Sequence, residues 1–89
     1  MNSWTFVGLI DGNEFCSSDG FDRCTWYLTE GDSEDHAYFK VWCSTKEAEQ
    51  MMTDCYIHQD DFEGILFKFT GHFGTCNESD LMVDSIEEL

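Results

Sequence analysis

Proline is missing from this chain of 89 residues, and positive charge nearly so: four Lys and Arg stand against nineteen Asp and Glu, a formal charge of −15. With no proline, no apolar run is interrupted, and no linker or low-complexity tail is visible. The shortage of cations sets the chain against phosphate backbones and towards basic protein surfaces. No apolar run approaches the roughly 20 residues that span a bilayer, and an anionic coat is repelled by an anionic leaflet, so no membrane partner is expected. The first residues lack a basic region and a long apolar stretch, so no signal peptide is expected and the chain reads as cytoplasmic. No C-x-x-C occurs, and the five cysteines (Cys16, Cys24, Cys43, Cys55, Cys76) are odd in number and widely spaced. A complete disulfide framework is therefore not expected; thiols are, with Cys24 and Cys43 serving as small core hydrophobes.

What the chain does have is apolar substance. It is 42% hydrophobic and 16% aromatic, which separates it from acidic disordered segments that cannot bury enough surface to offset chain entropy. At this length the expectation is one domain over residues 1–89, built round one core.

Hydrophobic periodicity predicts the elements. Residues 4–10 form a first strand with Trp4, Phe6, Gly8 and Ile10 on one face and Thr5, Val7 and Leu9 on the other, neither face polar and both suited to being covered. Gly8 marks a bend, and Asp11-Gly12 ends the strand in a long polar loop to Phe21. A second strand at 22–30 directs Cys24, Trp26 and Leu28 inward and Arg23, Thr25, Tyr27 and Thr29 outward. After a turn at 31–35, a third strand at 36–43 turns Ala37, Phe39, Val41 and Cys43 inward and Tyr38, Lys40 and Trp42 outward. Ser44-Thr45-Lys46-Glu47 reads as a capping box, with Ser44 as the cap, opening a short helix to about Tyr56 whose stripe is Ala48, Met51, Met52 and Cys55. A fourth strand at 62–73 carries Ile65, Phe67, Phe69 and Phe73 on one face, and a fifth runs over 81–86.

This order predicts an all-β fold with one short helix: a five-stranded Greek-key barrel of the oligonucleotide-binding (OB) type, β1-β2-β3-α-β4-β5. The alternative is an α+β sheet with one helix packed on it. The segment FEGILFKFTGHFGTCNESDLMVDSIEEL, with its mid-strand Gly71 and closing L-x-V-x-x-I strand, resembles the end of single-strand-binding OB domains. That resemblance implies a binding face on strands 2 and 3, closed by the 1-2 and 4-5 loops. Bases would then stack on Tyr27, Tyr38 and Trp42 beside Arg23 and Lys40, with Lys68 outward on strand 4.

The acids contradict an oligonucleotide there. Asp11, Glu14, Asp19 and Asp22 populate the 1-2 loop, Glu30, Asp32, Glu34 and Asp35 crowd the hairpin, and Glu78 and Asp80 sit in the 4-5 loop. Carboxylates fixed on a stiff barrel can instead stand in for phosphates. In size, acidity and aromatic content the chain resembles phage DNA mimics of the anti-CRISPR and antirestriction type. The resemblance implies a non-enzymatic inhibitor that occupies the basic nucleic-acid-binding surface of a host defence protein. Its contacts would be Asp11, Glu14, Asp19, Glu30, Asp32, Glu34, Asp35, Asp60, Asp61 and Glu63, with Tyr27, Tyr38 and Trp42 as anchors. The alternatives are a module binding single-stranded nucleic acid through the aromatic face, and a subunit-interaction domain. No cofactor is implied. Cys55 and His58 lack an orienting partner for nucleophilic chemistry, and a zinc set of Cys55, His58, His72 and Cys76 would have to come from two elements. Asp60-Asp61 belongs to no calcium loop.

Overall fold

A computed structural model describes residues 3–17, 23–30, 38–61, 65–74 and 80–89, leaving aside the side chains at 15–17, 23 and 61. Its elements are β1 (Ser3–Ser17), β2 (Arg23–Thr29), β3 (Tyr38–Cys43), α1 (Lys46–Asp61), β4 (Phe67–Phe73) and β5 (Leu81–Glu88). The strands close into a barrel in the order β1-β2-β3-β5-β4. β1 is shared: residues 3–8 pair with β4, and residues from Leu9 onward pair with β2. A short parallel pairing of β3 with β5, from Val41↔Leu81 to Cys43↔Val83, completes the ring. With the helix between β3 and β4, this is the five-stranded barrel with one helix that the order of elements predicts.

Alternation fills the interior. Ile10, Trp26, Leu28, Val41, Phe67, Phe69 and Val83 are buried from every strand, and Ala48 and Met52 of α1 join them. The helix is secured to the barrel by Trp26, whose indole meets the Tyr56 ring edge-on at 5.8 Å and donates to Glu49 Oε1 at 3.1 Å.

Several expectations are corrected. β1 does not stop at Asp11-Gly12; a register shift between Ile10 and Gly12 absorbs the pair as a bulge and the strand continues to Ser17. Gln59 from α1 holds that point, accepting from the Ile10 amide and donating to the Ile10 carbonyl. The outer face of β1 is not covered throughout, because Val7 is 45% exposed. The helix cap is Thr45, whose Oγ1 accepts from the Ala48 amide at 3.1 Å; Ser44 donates to β5 instead, facing Val83 O and Asp84 Oδ1. The helix also runs on to Asp61, so β4 begins only at Phe67. Thr25 and Thr29, on the outward phase of β2, are buried. Cys43 and Cys55 are free, but Cys24 is in a disulfide, which overturns the expectation of thiols at every cysteine. Widely spaced cysteines carry no signal of which pair will meet, so spacing could not have revealed that bond.

Candidate functional site

The face formed by β1, β2 and β3 carries an open groove of about 420 Å³ lined by Asp11, Gly12, Asn13, Glu14, Tyr27 and Tyr38. Strand register builds it. Glu14 stands opposite Thr25 on β2, one pair along from Asn13↔Trp26, so Glu14 and Tyr27 emerge side by side on the outer face. The Tyr27 hydroxyl donates to Glu14 Oε1. Tyr38 begins β3 opposite Thr29, and its ring is 54% exposed. The bulge at Ile10–Gly12 is what turns Asp11 and Glu14 to the groove, since a regular strand through an Asp-Gly pair would keep strict alternation.

The hydrogen bond to Glu14, then burial and the Glu14 charge, push the Tyr27 phenol above its ordinary 10.0. Ring-carbon NMR across alkaline pH should place Tyr27 above that value, and Glu14→Gln should return it towards 10.0. An unmoved titration in the variant would show that the contact does not form in solution.

Asp60 is exposed on α1, next in sequence to the Gln59 that clasps Ile10, and does not line the groove. Asp60 stands in the last turn of α1, the negative end of the helix dipole and an unfavourable place for a carboxylate. Trp42 lies apart from the groove: it pairs with Met82, and the Lys40 ammonium sits 5.4 Å from its ring centroid. That cation–π contact occupies a ring face that base stacking would need. Lys68 is on another wall, opposite Val7 and Glu87. Glu30 is exposed at the end of β2. Asp19, Asp32, Glu34, Asp35 and Glu63 lie outside the described residues, as do Asp22 and Glu78; so do the side chains of Arg23 and Asp61.

His58, His72 and the Cys43 and Cys55 thiols lie away from the groove lining. His58 Nε2 is 3.3 Å from Glu88, while His72 Nδ1 is 2.8 Å from Asp84 Oδ2. Among the described residues no three His, Cys, Asp or Glu side chains converge as a metal site. Burial, then the Asp54 and Glu88 charges, raise the Cys55 thiol above its ordinary value, the direction opposite to nucleophile activation. Burial does the same to Cys43, aided by Glu49.

Asp84 ties Ser44 at the β3–α1 corner to His72 on β4, a link the spacing of these residues did not announce. Burial pushes its carboxyl up, but hydrogen bonds from Ser44 and His72, with the His72 charge, outweigh this and hold it below 3.8. A lowered carboxylate stabilises the fold above its unfolded value, and that contribution is lost as pH falls through the lower folded value. Asp84→Asn should therefore melt below wild type near neutrality, with the gap closing as pH falls below 3.8 and through the lowered folded value. A gap independent of pH would mean that Asp84 acts through packing alone.

No family model matches the chain, and neither a curated protein nor a solved structure matches it.

Proposed function

We propose that this protein is an acidic, non-enzymatic inhibitor that mimics nucleic acid and docks in the basic nucleic-acid-binding channel of a host defence protein. The observation that carries the reading is the inverted chemistry of the groove. Barrels of this shape bind strands through cations and exposed rings on the face of strands 2 and 3. Here the groove on that face keeps two tyrosines, while its charged lining is Asp11 and Glu14. Partner arginines would find carboxylates for charge-assisted hydrogen bonds and aromatic rings for cation–π contact within the same few ångströms. The formal charge of −15 would steer encounter with a cationic slot from a distance. Stacking of single strands is the weaker reading, because Lys40 occupies Trp42 and the groove repels phosphate.

The reading belongs to an anti-CRISPR or antirestriction type of phage protein, acting in the host cytoplasm. Cys24 would be held reduced there, and the face is built by strand pairing and the Tyr27–Glu14 contact. A partner captured from bacterial lysate at low salt should be released by double-stranded DNA and by rising salt, since both compete for one cationic surface. A captured protein that stays bound through both, or that retains full DNA binding while bound, would end this reading.

A further inference from the structure

We infer that the barrel holds a second, chemically distinct site: a receptor for a neutral apolar ligand the size of a single six-membered ring. A partly open cavity of about 160 Å³ is lined by Trp4, Phe6, Leu28, Phe39, Val41 and Leu81, with Thr5 the one polar residue beside them among the described residues. Leu28 and Val41 are fully buried, while Trp4, Phe6, Phe39 and Leu81 are only partly buried, so the cavity reaches from the core to the surface. The Phe6 and Phe39 rings stand 4.8 Å apart and tilted by 56°, a wall with both edges and faces to offer an aromatic guest.

Three physical points identify the occupant. A cavity of roughly 150 Å³ lined by aliphatic and aromatic groups stays dry and accepts benzene, so the size here sets the ligand at one ring. Among the described residues the lining supplies no charged partner, so a carboxylate or an ammonium would enter without compensation for lost hydration. The net charge of −15 adds a general penalty against anions. The void also needs a reason, because interiors are close-packed and an unfilled hole weakens a fold. Val41 and Leu81, paired across β3 and β5, both line the space without filling it.

The test uses benzene as probe, benzoate as its charged counterpart, and the whole chain. Benzene should raise the melting midpoint by about 5 °C as it approaches saturation, and should shift the methyl resonances of Leu28, Val41 and Leu81. Benzoate at equal concentration should do neither. Leu81→Trp fills the space from a partly exposed position and should abolish the benzene effect while keeping the barrel's amide spectrum. If that variant misfolds, the wild-type methyl map decides alone. No methyl shift with benzene, shifts at methyls elsewhere, or an equal response to benzoate would each overturn the proposal.

Discussion

Asp11→Lys/Glu14→Lys is expected to bind a short oligoarginine peptide about 100-fold more weakly than wild type, as read by fluorescence anisotropy at physiological salt. Hydrogen bonds to charged groups contribute about 1.5–3 kcal/mol each, and 1.4 kcal/mol is tenfold in affinity, so losing two gives this order. Reversal also puts two ammonium groups where guanidinium groups would sit. The control is Asp54→Lys/Glu87→Lys, at exposed acids on α1 and β5 that do not line the groove. Each double reversal moves the net charge by the same four units from −15, so a bulk-charge effect would weaken both alike. Screening over about 8 Å confines the interaction to nearby charges, so the control should stay within about threefold of wild type. Equal losses would reduce the groove to one part of an undifferentiated acidic surface.

Gly71→Ala is the variant expected to damage the fold most. Gly71 sits opposite Trp4 across the β1–β4 pairing, at a bulge in the β4–β5 register, where Thr70 faces Ser85 but Gly71 faces Val83. A methyl group there would lie 2.6 Å from the Trp4 ring and closer still to the Met82 carbonyl. The ring cannot simply move aside, since its Nε1 donates to the His72 carbonyl at 3.1 Å. Backbone must shift, and overpacking of this kind costs about 3 kcal/mol. In a domain of this size that lowers the melting midpoint by about 12–20 °C. Gly8 is enclosed in the same way by the Thr29 carbonyl and the Phe6 ring. A melting point within about 3 °C of wild type would show that the sheet yields at this bend.

The barrel is legible in the sequence because large apolar residues recur at every second position of its strands. Trp26 and Leu28 on β2, Val41 and Cys43 on β3, and Phe67 and Phe69 on β4 are buried in the predicted phase. Gly8 and Gly71 were legible as bends because a strand interior tolerates glycine where another chain comes close. What stayed hidden depends on contacts between distant segments. Asp11-Gly12 looks like a stop, but the strand goes on pairing with β2, and Gln59, 49 residues from Ile10, holds it at that point. The cap was misplaced by one residue because Ser44 and Thr45 both carry a hydroxyl, and β5 claims the first. Of the candidate site, Asp11, Glu14, Tyr27 and Tyr38 share one groove, while Asp60 is exposed on α1 outside its lining. Trp42 was grouped with the tyrosines because it shares their strand phase, but phase does not reveal the Lys40 side chain folded over its ring. The apolar cavity was invisible for the same reason: alternation places side chains inside without saying whether they fill the space.

The central claim is that cationic partners engage the β1–β2–β3 groove in particular. Amide chemical-shift mapping during titration with a short oligoarginine peptide at physiological salt tests it most directly. Perturbations should concentrate on residues 11–14, Tyr27 and Tyr38. Shifts spread evenly round the barrel, or confined to the acids of α1 and β5 such as Asp54 and Glu87, would contradict it.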